Sequence, residues 1–281
     1  MTKKMFGPTK RLQKAYEHGI KQIVQRVLPP KLDDKTFEQW LAEIAAKSQQ
    51  RDVQEASEYL ASNMIKWTNI KNAKSWREAA ARSQHSRRLY NLLQKEMQGI
   101  TGSRVSALVR ENAALIRSIA LEAAVTLTGE VTKAQQMGAR PATVAKMLRT
   151  RFPELLKSRI QLISRTETAK ASTALTQARC EELGIDFYLW ETSYDGRVRD
   201  SHRNMDRVLV PWHDPPSPEA LIGDKSTLGA YHAGQSPNCR CTQLVVLHAD
   251  DVSWPCRVYW HGAISTMTKQ QFLSTVAPRA A

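Results

Sequence analysis

Carboxylates are almost missing from the start of this chain. Up to Lys31, Glu17 alone is set against Lys3, Lys4, Lys10, Arg11, Lys14, Lys21, Arg26 and Lys31. Over the 281 residues, Lys and Arg number 41 and Asp and Glu 27, a formal net charge of +14. That excess favours a polyanionic partner, nucleic acid or an anionic membrane surface, over plain solubility. Long apolar runs are missing too: no stretch of about eighteen apolar residues occurs, so no membrane span is expected, and of the two polyanions nucleic acid, not a membrane, is the expected partner. The basic opening residues hold no apolar core stretch and do not read as a secretory signal. Cysteine is scarce, at Cys180, Cys239, Cys241 and Cys256. Four in a chain this long make no disulfide scaffold, and Cys239 and Cys241 are too close to bridge comfortably. A protein maturing in a reducing compartment is the expectation. There is also no Gly-rich phosphate loop, no nucleophile elbow, and no array of carboxylates for a two-metal nuclease. An enzyme is therefore not expected.

What is present is a core-forming composition, 42 % hydrophobic and 24 % charged, which excludes a wholly disordered chain. Helical spacing begins early, is interrupted by Pro29-Pro30, and resumes at Phe37, Trp40, Leu41, Ile44 and Ala45, with Asp33 or Asp34 as a cap region. From Val53 to Met97 it continues through Tyr59, Leu60, Met64, Trp67, Trp76, Leu89, Leu92 and Leu93. Gly99 and Gly102 mark a boundary. Beyond them Val105, Leu108, Val109, Ile116, Ile119, Ala120 and Ala123 share a helical face. That helix closes at Gly138, a short helix starts at Pro141, and a long one runs from Pro153 to Leu183 with Gly184 after its end.

Then the pattern changes. Residues 185–192 read as a strand, as do Val208-Leu209-Val210 and 242–247, separated by a loop rich in Pro, Gly and Asp from His213 to Asn238. The fold class is α+β: a helical N-terminal part, then a long helix packed on a small C-terminal sheet. The expected divisions are a basic helical region, 1–100, a domain over 101–250 (helical to 183, α+β beyond) and a mixed tail, 251–281.

Four potential metal ligands cluster in the C-terminal region: His202, His232, Cys239 and Cys241. Two cysteines one residue apart on extended backbone point to the same side, so both thiolates can reach one ion. One structural zinc there would tie down a loop too poor in apolar residues to hold itself; two small buried cysteines beside a turn are the plainer alternative. A second constellation is Asp195-Gly196-Arg197-Val198-Arg199-Asp200-Ser201-His202. Asp195 is expected to cap the following turn or to pair with Arg199. Arg165 and Glu167 are expected to supply another buried ion pair, and such groups commonly organise loops. Lys3, Lys4, Lys10, Arg11, Lys14, Lys66, Lys71, Lys74, Arg87 and Arg88 are the candidate contacts to double-stranded DNA, with a solvated helical face as the plain alternative.

An ordered series carries a resemblance: Val109-Arg110-Glu111-Asn112-Ala113-Ala114-Leu115-Ile116, Ser164-Arg165-Thr166-Glu167-Thr168, Gly184-Ile185, Trp190, the 195–202 segment, His232, and Pro237-Asn238-Cys239-Arg240-Cys241. Over roughly residues 105 to 248 it resembles the phage head morphogenesis domain of Mu F-like minor head proteins. The resemblance implies a component of the virion head or procapsid, present in few copies and assembled in the host cytoplasm. It implies portal, capsid or scaffold partners, non-specific DNA binding, a role in packaging or ejection, and no catalysis. The family's recurrent positions fall on Arg165, Asp195, Arg199, His202, Cys239, Arg240 and Cys241, with Asn238 in the last motif. One position departs: where the family often has Asp-Gly, this chain has Asp206-Arg207, and glycine takes a positive φ that arginine resists. A metal-dependent phage nuclease and a generic nucleic-acid-binding module are the alternative functions.

Overall fold

Spacing of apolar residues sets the helices. The computed structural model describes residues 6–28, 37–82, 100–225 and 227–276. Lys3, Lys4, Arg87, Arg88, Pro29, Pro30, Asp33, Asp34, Leu89, Leu92, Leu93, Met97 and Gly99 lie outside the described residues.

The chain divides into two units. One takes its described residues from Thr9–Trp67 and Ser106–Glu167; the other takes them from Met1–Pro8, Thr68–Val105 and Thr168–Ala281. We call these the helical unit and the sheet unit.

In the helical unit, α1 (Lys10–Val27) starts at Thr9, whose side chain accepts the Leu12 amide hydrogen at 3.1 Å, and it buries Tyr16, Ile20, Ile23, Val24 and Val27 along one stripe. Trp40 and Ile44 do the same for α2 (Phe37–Ser48), and Trp40 meets Phe152 edge-on with centroids 4.7 Å apart. Within α3 (Arg51–Arg82), Val53, Ala61, Met64 and Ile65 are buried. Tyr59 and Trp67, expected on the apolar face, are instead 73 % and 57 % exposed. The helix α4 (Ile100–Gln136) follows its expected stripe closely: Leu108, Ala113, Ile116, Ile119, Ala120, Ala123, Ala124 and Leu127 are buried. The Tyr16 hydroxyl donates to Asn112 Oδ1 at 3.0 Å, so the polar residue in this stripe has its partner. Gly102 falls inside α4 rather than at a boundary, and the break expected there is not formed at that residue. Gly138, at φ +83°, follows the end of the helix as expected.

The short helix at Pro141 and the long one at Pro153 are one helix, α5 (Pro141–Leu183), with Pro153 in its interior. Proline suits a first turn, and sequence alone could not tell that placement from an interior one.

In the sheet unit the last third of α5 covers one face of a five-stranded sheet. Gly184, at φ +67°, ends the helix and the chain enters β1 (Phe187–Glu191), all of whose residues are buried. A strand buried on both faces needs apolar residues on both. Tyr188 and Trp190 pack toward Cys180 and Trp212; Phe187 and Leu189 pack toward Val258 and Phe272. Strand order is β3-β1-β2-β4-β5, with β2 (Leu209–Pro211) and β3 (Thr242–Val245) antiparallel to β1. The stretch from 251, expected as a mixed tail, adds β4 (Cys256–Trp260), parallel to β2, β5 (Ala263–Met267), and a C-terminal helix, Lys269–Thr275, whose Phe272 meets Phe187 at 5.1 Å. The end of α3 is held to α5 by polar contacts: Arg179, fully buried, donates to Asn69 Oδ1 at 2.6 Å and to Asn72 Oδ1. No helix among the described residues is long and apolar enough to cross a membrane.

Candidate metal centre

Three of the four expected metal ligands converge. His202 lies on a single helical turn, α6 (Asp200–Asn204), which follows the β1 strand and the Asp195 turn. Cys239 and Cys241 stand just before β3, and all three residues are buried. Extended backbone alternates its side chains, so the cysteines face inward while Arg240 faces outward. Asn238, at φ +56°, shapes the turn that leads into them.

The His202 Nδ1 atom is 3.5 Å from Cys239 Sγ and 3.4 Å from Cys241 Sγ. A tetrahedral zinc with bonds of about 2.3 Å to sulfur and about 2.0 Å to nitrogen separates those ligand atoms by about 3.5 Å. The donor atoms all lie within 4.8 Å of one another. The set therefore fits a zinc ion in both chemistry and spacing.

The far side of the imidazole decides which nitrogen carries the lone pair. The Tyr231 hydroxyl donates to Glu219, 2.7 Å and 2.8 Å from its two oxygens. With its hydrogen committed there, the Tyr231 oxygen accepts from His202 Nε2, 2.9 Å away. Nδ1 is then the unprotonated nitrogen, and it faces the two sulfurs. Fixing the ligating tautomer through a carboxylate behind the ring is how metal-binding histidines are commonly oriented. Ser201 donates to the same Glu219 carboxylate at 3.1 Å. Burial and the Glu219 carboxylate raise the Tyr231 hydroxyl above its ordinary range, which keeps its proton in place. The hydrogen bond from the Cys241 thiol pulls the Cys239 thiol well below its ordinary range, with burial opposing and His202 adding to the fall. A thiol so disposed is ready to ligate as thiolate.

His232 stands apart. Its Nδ1 is 3.2 Å from the Tyr188 hydroxyl, its ring packs on Trp212, and it is not among the three clustered donors. Burial depresses its pKa to about 4. It props the loop from inside rather than joining the donor set.

The second constellation forms with changed pairing. Asp195 accepts the Arg197 amide hydrogen at 3.0 Å and pairs with Arg240, with one oxygen 2.7 Å from Nη2, so its expected partner Arg199 is free to act elsewhere. First the Arg197 amide and then Arg240 hold the Asp195 carboxyl below the ordinary carboxylate range. Arg199 precedes α6 and reaches across the loop, donating to Ser236 Oγ at 3.1 Å and the Pro237 carbonyl at 2.7 Å. Both arginines thus clamp the 236–240 turn that presents the cysteines. Arg165 and Glu167 belong to the helical unit, where Arg165 is exposed and Glu167 buried.

Among the DNA candidates, Lys10, Arg11 and Lys14 are exposed on α1, and Lys66 and Lys74 on α3. Lys71 is partly covered and donates to Ser75 at 2.8 Å. Glu219, Tyr231 and Ser236 were not singled out in the sequence. They sit in an irregular loop with no periodicity, so no local pattern pointed to them.

Comparison with known proteins places this geometry. Residues 125–244 match the family model described as Phage Mu protein F like protein, a span that contains His202, Cys239, Cys241 and both arginine clamps. A protein of Haemophilus influenzae, described as an uncharacterized protein, is 33 % identical over 144 residues, covering 51 % of this chain and 30 % of the relative. The chain thus spans under a third of that relative's length. No solved structure matches.

Proposed function

We propose, from the match of residues 125–244 to the Phage Mu protein F like family, that this chain is a minor head protein of a tailed phage, a structural part of the virion or procapsid. Its partners in this reading are the portal and the capsid or scaffold proteins. The supporting observation is that the motif residues hold one another and the loop between them. Arg199 holds Ser236 and Pro237, Arg240 holds Asp195, and His202 joins Cys239 and Cys241. One zinc ion on those three donors would fix the base of the loop from His213 to Asn238 and would supply structural stability there.

The reading includes non-specific contact with packaged DNA through exposed cations such as Lys10, Arg11 and Lys14. Phosphate contacts release counterions, so affinity should fall steeply with salt; three contacts give about a 40-fold loss between about 50 and about 200 mM. Cross-linking mass spectrometry on assembled heads tests the main claim. Cross-links to portal or capsid chains are expected, and a protein missing from purified heads overturns it. A protein that fails to retain DNA at low salt removes the DNA contact. Plasmid incubated with the protein and Mg²⁺, Mn²⁺ or Zn²⁺ should remain intact; cutting that is lost with Asp195→Asn or His202→Ala would instead establish the nuclease. Metal analysis of protein purified without added metal should find zinc, lost in a Cys239→Ser/Cys241→Ser variant.

A further inference from the structure

A structural zinc is usually closed by four protein ligands, whereas a centre with three leaves a position for something else. The cluster here has three members, and among the described residues none is added to it. The tyrosine and the carboxylate behind His202 serve its other nitrogen and lie on the wrong side to complete the set. On the open side is a pocket of about 90 Å³ whose wall includes His202, Cys239 and Cys241 together with Arg197, Arg199 and Arg240. That is several times the roughly 10–15 Å³ that a single water needs.

Two thiolates neutralise a divalent ion, so attraction for an incoming anion must come from the surroundings. Guanidinium groups supply it, being always charged and shaped to grip oxyanions. Arg240 is already matched by Asp195, and Arg199 by uncharged acceptors, so the positive charge of Arg199 is retained at this wall. Arg197 is exposed and lines the same wall.

We propose that the metal centre keeps its fourth coordination position open to this pocket and takes a tetrahedral phosphate oxyanion there, drawn in by Arg197 and Arg199. The proposal rests on the zinc reading above and adds an exchangeable ligand to it. Its chemistry is shared by free phosphate and by the phosphodiester of a nucleic-acid backbone.

The test uses the full chain, stripped of metal and reloaded with Co²⁺, which takes zinc sites and absorbs visible light. Thiolate-to-cobalt absorption reports the cysteines; the ligand-field bands report the fourth position. Inorganic phosphate and dimethyl phosphate are then titrated separately. The expected result is retained thiolate absorption with a saturable change in the ligand-field bands, and about tenfold weaker response in Arg197→Ala. A response to phosphate alone assigns free phosphate, and a response to the diester assigns the backbone. Ligand-field bands unmoved by either anion overturn the proposal while leaving zinc in place. Missing thiolate absorption removes the zinc reading itself, and the open position falls with it. An Arg197→Ala response equal to wild type overturns the role of that arginine.

Discussion

The Arg207 amide donates to the Trp190 carbonyl at 2.8 Å while Arg207 itself holds φ at +60°, in the left-handed region. Beside it, Asp206 Oδ1 accepts from both the amide and the hydroxyl of Thr192, each at 2.9 Å. The tight return from α6 to β2 therefore demands a conformation that costs an L-residue roughly 1–2 kcal/mol. Glycine is the residue that the resemblance led one to expect at this position. Arg207→Gly should be more stable than Arg207→Ala by about 0.5–1 kcal/mol, the relief of strain being partly offset by glycine's freer unfolded chain. Urea unfolding of the two variants decides it; equal midpoints would mean that the strain is absorbed elsewhere.

The hydroxyl of Tyr231 links Glu219 to His202. In Tyr231→Phe, Nε2 loses its acceptor and the tautomer facing the sulfurs is no longer enforced. Zinc affinity should fall by about 10- to 100-fold, the usual consequence of removing a partner behind a ligand. Binding should still be measurable by competition with a chromophoric chelator, because all three donors remain. An unchanged affinity would show that the ring is held by packing against Trp190 instead.

Much of this architecture was legible because it follows simple periods. The α4 stripe from Leu108 to Ala123 and the stops at Gly138 and Gly184 depend on local spacing and on backbone freedom, both written in neighbouring residues. The two added strands were not legible for a physical reason. In β5 all five residues are exposed or only partly buried, so alternation left no trace, and β4 joins the sheet through the distant register pair Leu209 and Val258. The site divides the same way. Cys239 and Cys241 announced themselves by spacing and His202 by its motif. Tyr231 and Glu219 are brought to His202 only by the folded path of the loop, which no local pattern encodes.

Gly234 closes that loop against α5. Its φ is +87°, and a methyl group there would stand 2.6 Å from Thr173 Oγ1 and 3.3 Å from the Cys241 carbonyl oxygen. Thr173 cannot yield easily, since its hydroxyl donates to the Ala233 carbonyl at 2.9 Å and accepts from Gln243 at 2.8 Å. Gly234→Ala should cost about 2–3 kcal/mol, combining left-handed strain with overpacking. Because the displaced carbonyl belongs to Cys241, zinc retention should fall with stability. A variant that melts like wild type would show that the loop shifts freely, contrary to its polar anchoring.

His232 gives the fold an acid limit. Burial against Tyr188 and Trp212 depresses its pKa to about 4, below the ordinary histidine value of about 6.5. Above about pH 6.5 the imidazole is neutral in both folded and unfolded chains, so its contribution does not depend on pH. Between there and about 4 the unfolded chain binds a proton that the native state refuses, and stability declines as pH falls. Below about 4 both states are protonated and this loss is complete, at roughly 3 kcal/mol or less. The measurement belongs on metal-free protein, because acid release of a metal from His202 and the cysteines would add its own loss in the same window. Thermal unfolding followed from pH 7.5 down to about 4 should show the decline in wild type and a flatter profile in His232→Gln. Parallel profiles for the two proteins would mean that another group sets the acid limit.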